Sequence, residues 1–595
     1  MANRKINTYG LDFRRSFITK HEVREQLQVS SAFIKKYLPP PAKHRDPSRP
    51  GTKAVKGWDA RELLQALNSP RFVRSYSTML ADRERSLQQV EEMRSSLRMF
   101  DIEALIDDAR QLNRKFILHV GPTNSGKTYQ AMQALRAAQT GVYLGPLRLL
   151  ALEMFDTLNA DGYPCSLLTG EEYEEREGAR YTASTIEMCD FAARYDVAVI
   201  DEAQMVADRD RGSRWTNAIA RVNAAEVHVC LAPQALDLIR GFVESFGAPC
   251  EVRIYERMTP LLFAGTMKDI SAVEPGDALI AFSRRKVLNI AAALEDAGIR
   301  SSVIYGALPP EARREEIHKF ASGVNNVVVA TDAIGMGVSL PIKRVIFCFT
   351  DKYDGSKTRP LRPYEIKQIA GRAGRYGIYD TGEVLAMNNP DLIRDGMNSP
   401  DSKITRVTIP FPSQLVTEDC NLSMLMQEWE ALPHVPGFRR ESMAEPIALY
   451  RVIRRELKQA DNETIYRCIT CPFDSKSDEL VQYWLEVCKS LTSGSKDLPM
   501  PPFGDDDLSA CELQYSAYDM LHQMMRRFGH EPDFSRERSH LCHKINRFLT
   551  EDKQQFRMRC SRCGRTLPVT QEYGLCDRCY YGIYLSKYAR TGADA

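Results

Sequence analysis

Residues Gly121 to Gln130 read GPTNSGKTYQ, directly after the apolar run FILHV at Phe116 to Val120 and directly before a helical pattern, TYQAMQALRAA. The spacing Gly121, four residues, Gly126-Lys127-Thr128 is the one in which successive backbone N–H groups curl around phosphate oxygens. Lysine then reaches the terminal phosphates and threonine holds Mg²⁺. Strand before, helix after, is the context a phosphate cradle needs. Gly121, Pro122, Thr123, Asn124, Ser125, Gly126, Lys127 and Thr128 are therefore the expected nucleotide contacts, and the surrounding chain is expected to be α/β with a parallel sheet.

Outward from this loop, short β-branched runs alternate with helical patterns from about 116 to 405: GVYLGP, VAVIDEA, EVHVCLA, ALIAFS, NVVVATD and KRVIFCF. That alternation predicts parallel strands with crossover helices. An NTPase also needs a metal carboxylate. The run Val197 to Ile200 reads as a buried strand delivering Asp201 and Glu202 to its C-terminal edge, where ligands bind in α/β sheets. Asp201 is expected to position Mg²⁺ and Glu202 to orient or deprotonate the attacking water. At Gln368-Ile-Ala-Gly-Arg372-Ala-Gly-Arg375, two arginines lie on one helical face. They are placed to reach the terminal phosphate from a second lobe and stabilise charge developing in the transition state.

GPTNSGKT, PLRLLA, DEAQM, VVVATDAIGMGVSL and QIAGRAGR together resemble the motif series of superfamily 2 helicases. With YGALPPEARREEIHKF they are similar, more narrowly, to the Suv3 family of DExH-type RNA helicases, strongly from about 115 to 405. The resemblance implies two tandem RecA-like lobes and ATP-dependent unwinding of RNA, 3′ to 5′, with ATP and Mg²⁺ as cofactors. It implies catalytic roles for Lys127, Asp201, Glu202, Gln368, Arg372 and Arg375. Pro146, Arg148, Thr185 and Thr331 become strand contacts, and Asp332 and Gly335 couple that grip to the nucleotide. Single-stranded RNA is the implied partner, with DNA as the alternative and a nuclease or other RNA-decay factor as a possible companion. Where such motors often carry an S-A-T or G-E-P coupling motif, this chain has Leu231-Ala232-Pro233-Gln234. That departure keeps open an ATP-switched clamp that binds a strand without separating duplexes.

The C-terminal end carries a second chemistry. Cys560-Ser-Arg-Cys563 and Cys576-Asp-Arg-Cys579 are paired C-x-x-C knuckles, a spacing that brings four thiolates into a tetrahedron around structural Zn²⁺. Arg562, Arg565, Arg578, Tyr573, Tyr580 and Tyr581 interleave cations with aromatics there. They form a surface for bases and phosphates or one that docks on the motor or a protein partner. A further pair, Cys468 and Cys471, has no clear second half.

At the other end, Lys20 to Gln28 and Ala32 to Leu38 read as two helices around a turn at Val29-Ser30-Ser31. A basic loop follows (Lys43, His44, Arg45, Arg49, Lys53), then Trp58 and a helix started by Asp59 with Glu62 as its return partner. The order resembles small excisionase or MerR-type winged DNA-binding modules, and equally an ordinary helical hairpin with a basic loop.

The expected division is therefore 1–72 winged module, 73–114 helical connector, 115–255 first lobe, 256–408 second lobe, 409–555 helical accessory region and 556–595 zinc ribbon. The 595 residues carry 80 Lys+Arg against 78 Asp+Glu, so no global field draws the chain onto nucleic acid or membrane, and any basic surface is local. No apolar run approaches the roughly 20 residues that cross a bilayer. Cysteines such as Cys230 and Cys348 lie in apolar surroundings, as reduced buried thiols do. The expected compartment is the bacterial cytoplasm, because the first 70 or so residues read as folded, with the mitochondrion as the alternative.

Overall fold

The computed structural model describes residues 9–44, 54–99, 102–170, 172–335, 340–495, 498–551, 553–571 and 574–582. Arg45, Arg49, Lys53, Tyr573 and the Met336 to Ser339 stretch of the VVVATDAIGMGVSL motif lie outside the described residues.

The chain forms two compact units, 1–96 and 97–595. In the first, the strand Phe17–Thr19, the helices Lys20–Leu27 and Ser31–Tyr37, the hairpin Ala42–His44 with Val55–Asp59, and the helix Ala60–Leu67 follow in order. Its three strands are antiparallel, with Val55–Asp59 in the centre. Trp58, Val23, Leu27, Ile34 and Leu63 fill its core, and the indole of Trp58 donates to the Pro39 carbonyl at 2.7 Å. Asp59 caps the last helix by accepting from the Arg61 and Glu62 amides. The reciprocal box with a glutamate belongs instead to Thr19 and Glu22. This unit runs past residue 72 because Phe72 and Tyr76, on the long helix Pro70–Met99, join its core.

The second unit contains two parallel α/β lobes in tandem. The first holds an eight-stranded sheet in which the phosphate-loop strand Lys115–Val120 lies between Cys250–Ile254 and Ala224–Leu231. The strand Tyr195–Ile200, which ends before Asp201, pairs with the other side of Ala224–Leu231. Every pairing in this sheet is parallel except that of the short edge strand Tyr173–Glu174. Near-continuous burial of these strands is what helices on both faces require. The second lobe is a six-stranded all-parallel sheet from Leu261–Thr266 to Gly382–Ala386.

After the second lobe the chain returns to the first. Val407–Ile409 pairs with Phe438–Arg440, and Thr408 Oγ1 donates to the Asp208 carbonyl at 2.8 Å while Thr216 Oγ1 donates to the Thr408 carbonyl at 2.7 Å. The last long helices, Leu508–Arg527 and Ser535–Glu551, do not form a core of their own: Tyr515, Leu541, Ile545 and Leu549 share one hydrophobic core with Leu279, Val303 and Val329 of the second lobe. The expected accessory region 409–555 is thus divided between the two lobes it embraces. Among the described residues no helix is long and apolar enough to cross a membrane.

Candidate active site

Lys115–Val120 and Tyr195–Ile200 end side by side at the carboxyl edge of the first sheet, one strand apart, so their following loops face one cavity. The phosphate loop is held by backbone geometry. Gly126 takes φ 77° and starts the helix Lys127–Ala137, while Asn124 takes φ 60°, a left-handed conformation costly for a residue with a side chain. A Cβ on Gly121 would lie 2.6 Å from Ser125 Oγ and 2.9 Å from the Tyr255 carbonyl, so only glycine fits the start of the loop.

The side chains interlock across the cavity. Lys127 Nζ donates to the Pro122 carbonyl at 3.2 Å, folded over the loop. Thr128 Oγ1 donates to Asp201 Oδ1 at 3.2 Å, and Tyr143 Oη donates to Asp201 Oδ2 at 3.2 Å. Burial raises the Asp201 carboxyl above its ordinary range, and neighbouring Glu202 adds to the effect while Lys127 opposes it. Such a buried hydroxyl and carboxylate pair is the donor set a hard cation such as Mg²⁺ takes beside phosphates. Ser125 Oγ is buried and has no hydrogen-bond partner among the described residues, as expected of a loop built to meet phosphate oxygens.

Glu202 follows Asp201 with φ 51°, and its carboxylate accepts from Gln204 Nε2. Gln204 Oε1 in turn accepts from the Ala232 amide at 3.1 Å. Gln204 therefore joins the acidic loop to the Leu231-Ala232-Pro233-Gln234 segment that departs from the usual coupling motif. The amide of the DEAQ stretch was in view in the sequence, but its partner loop is not a sequence neighbour.

The second lobe closes the cavity. Gly371, Arg372 and Arg375 line it together with Lys127, Asp201 and Glu202, around a volume of about 460 Å³. Arg372 Nη2 lies 4.0 Å from Glu202 Oε1 and donates to the Gly335 carbonyl, which also accepts from Gln368 Nε2 at 3.3 Å. Glu153 lines the same cavity: burial raises its carboxyl, with Arg375 and Arg372 acting against the rise. Neither Glu153 nor Tyr143 stands in a recognisable motif. Arg257, in the connection between lobes, donates to the Thr123 carbonyl at 3.1 Å and the Gly371 carbonyl at 2.8 Å, tying the phosphate loop to the turn after the helix Pro363–Ala370. Arg372 and Arg375 lie in that turn and not on the expected helical face, because the helix stops at Gly371. Burial draws its guanidinium down to about 10. Asn124 Nδ2 adds a second tie to the Gly374 carbonyl at 2.5 Å.

Away from this cavity lie the four expected strand contacts. Pro146 offers its carbonyl to Arg211 Nη2 at 2.6 Å. Thr185 ends the strand Tyr181–Thr185, Thr331 follows the strand Val327–Ala330, and both are buried; Thr331 Oγ1 accepts from the Ala333 amide. Arg148 is 8% exposed at its side chain and shared between Glu172 at 2.6 Å and Glu311 at 2.7 Å. Asp332 pairs with Lys352 at 2.8 Å.

At the C-terminus, Cys560, Cys563, Cys576 and Cys579 place their sulfurs within 4.8 Å of one another, with Cys563 and Cys576 3.7 Å apart. A tetrahedron of thiolates at ~2.3 Å from a metal has edges of roughly 3.8 Å, so the cluster fits Zn²⁺. Backbone N–H groups of Cys576, Cys563 and Arg562 hold the Cys560 thiol down to about 6. Cys468 and Cys471, by contrast, are buried in an apolar core, and among the described residues the terminal four form the one metal-capable group.

Residues 103–255 match the model of the DEXQ-box helicase domain of Suv3, and residues 264–377 match the helicase conserved C-terminal domain. An Arabidopsis thaliana relative named DExH-box ATP-dependent RNA helicase DExH16, mitochondrial, is 44% identical over 312 residues, 51% of this chain and 54% of its own length. Human ATP-dependent RNA helicase SUPV3L1, mitochondrial, is 42% identical over 298 residues, 48% of this chain and 38% of its own. The solved structure of Escherichia coli DEAH/RHA helicase HrpB superposes with TM-score 0.46 at 15% identity, over 79% of this chain and 64% of that one. The chain thus spans about half the length, or less, of the curated relatives it matches. The first lobe thus matches the Suv3 DEXQ-box model and the second the general helicase C-terminal model, in the order the motifs indicated.

Proposed function

We propose that the chain is an ATP-driven motor that tracks along single-stranded RNA, 3′ to 5′, and unwinds duplexes in its path. The observation that carries this reading is convergence: Lys127, Thr128, Asp201 and Glu202 of one lobe face Arg372 and Arg375 of the other across one cavity. A γ-phosphate held by Lys127 would sit where both arginines can neutralise charge as it develops, and Glu202 would orient the attacking water. Mg²⁺, held by Thr128 and Asp201, would neutralise phosphate charge beside them. Because Gln368 and Arg372 share the Gly335 carbonyl, loss of the γ-phosphate would be felt at Thr331 and Asp332, next to the bound strand. Pro146, Arg148 and Thr185 would hold its phosphates from the first lobe.

RNA is favoured over DNA because the relatives above are RNA helicases by name. Their names also favour the mitochondrion over the bacterial cytoplasm. A nuclease acting on the released strand would be the partner such a motor serves. The terminal cysteines would hold a structural zinc, with no open position for catalysis.

Strand displacement tests the reading. An RNA duplex with a 3′ single-stranded tail should separate with ATP and stay intact when Glu202 is replaced by Gln. RNA-stimulated hydrolysis without displacement on any tailed duplex would replace the motor with an ATP-switched clamp.

A further inference from the structure

The ribbon at the C-terminus is anchored at one side and, among the described residues, exposed on another. At its root Arg557 donates to Asp296 at 3.0 Å and to Asn289 Oδ1 at 2.9 Å, and the Met558 amide donates to the same Asn289 oxygen at 2.8 Å. Val569 packs against the second-lobe core, and Lys553 Nζ reaches the Ser301 carbonyl at 2.9 Å. These contacts join the ribbon to the outer helix Arg284–Asp296 and fix its orientation on the lobe.

Past the root the ribbon carries four arginines. Arg559, Arg562, Arg565 and Arg578 are all exposed, and none of them carries an ion pair among the described residues. The second knuckle runs into Tyr580 and Tyr581, 40% and 60% exposed, with ring centroids 5.8 Å apart at 82°. The two knuckles meet there. The Ser561 amide donates to the Gly574 carbonyl at 2.9 Å, and Arg562 Nη1 lies 3.7 Å from where a Cβ on Gly582 would stand, one residue past the tyrosine pair.

We infer that this face, Arg562 and Arg578 with Tyr580 and Tyr581, is a second contact for single-stranded RNA, outside the motor groove and rigidly carried by the second lobe. Unpaired guanidinium groups supply phosphate contacts, and exposed phenol rings supply stacking for unpaired bases of any sequence. Because the ribbon is anchored on the second lobe, a strand held there would follow any movement of that lobe. The inference rests on the RNA-motor reading above.

The test is binding of a fluorescently labelled oligouridine to the full-length chain, with zinc content and RNA-free ATP hydrolysis measured on every variant. Replacing both tyrosines, Tyr580→Leu with Tyr581→Leu, is expected to weaken binding about tenfold. Replacing Arg562→Gln with Arg578→Gln is expected to reduce the salt slope by about 1.4, the value for two phosphate contacts on a single strand. Zinc and RNA-free hydrolysis should stay at the parental level in both. If the parent binds oligouridine and is stimulated by it while both variants match it, the ribbon contact is overturned and the motor stands. If the parent shows neither binding nor stimulation, both readings fall. A loss seen with oligothymidine and absent with oligouridine overturns the assignment to RNA.

Discussion

Glu202 adopts φ 51° and Asn124 φ 60°, two of the four left-handed non-glycine residues among those described, and both border the cavity. Each costs on the order of 1 kcal/mol or more, a strain that persists only where the surroundings hold it. Gln204 and Gly374 do the holding here, through the Glu202 carboxylate and the Asn124 amide. Lys127, Thr128, Asp201 and Glu202 were legible because their chemistry is local: a loop and a strand end announce them. Glu153, Tyr143 and Arg257 were not, since each reaches the site only after elements distant in sequence have packed. Another residue of this kind is Glu512, whose carboxylate lies 3.1 Å from Arg284 Nε and accepts from the Tyr305 hydroxyl. Burial pushes its carboxyl from 4.5 up to about 7, against the pull of Arg284 and Tyr305, with Asp507 adding to the rise. A shift of that size amounts to roughly 3 kcal/mol. The folded-state value is raised, so this stability is fully present below 4.5 and is lost as pH rises through about 7. Thermal melts of parent and Glu512→Gln should therefore diverge with rising pH, the parent losing more, and a gap that does not change with pH would contradict the assignment.

The helices Arg148–Ala160 and Pro310–Ala321 meet at a seam between the lobes. Arg148 on the first is gripped by Glu172 of its own lobe and Glu311 of the other, and Tyr515 of the C-terminal helices donates to the second Glu311 oxygen at 2.6 Å. Burial works against ionisation of Glu311, but Arg148 and the Tyr515 hydroxyl outweigh it and hold the carboxyl below its usual range. For Arg148 to meet a strand phosphate, as proposed, this grip has to open, and apparent affinity is reduced by the fraction of time it stays closed. Glu311→Gln should raise single-stranded RNA affinity several-fold, with Arg148 still balanced by Glu172, and Arg148→Gln should lower it. Parallel losses in both variants would make the pair structural only. The strand-and-helix alternation of both lobes was readable from β-branched runs, because parallel strands are apolar on both faces. The seam was not, for charges such as Glu311 within ARREEIHKF look like any solvated helix face until the opposite lobe is in place. The same holds for Leu508–Arg527 and Ser535–Glu551: their amphipathic pattern is plain, while the sheet they cover is not.

On the scale of the whole molecule, the two lobes are coupled by few groups of large consequence. Arg257 and Asn124 bind the phosphate loop to the turn that carries Arg372 and Arg375, and the strand pair Val407–Ile409 with Phe438–Arg440 brings the chain after the second lobe back onto the first. A cavity walled by both lobes, with Lys127 and the carboxylates on one wall and Arg372 and Arg375 on the other, is a device for making nucleotide occupancy and lobe closure depend on each other. The activity proposed for this cavity is ATP hydrolysis in response to an RNA strand. Steady-state hydrolysis by the full chain, alone and with matched single-stranded RNA or DNA, tests it most directly, with Lys127→Ala as the blank. Low turnover alone, strong stimulation by RNA and none in the blank are expected; parental turnover that RNA leaves unchanged, or that survives in Lys127→Ala, would rule this activity out.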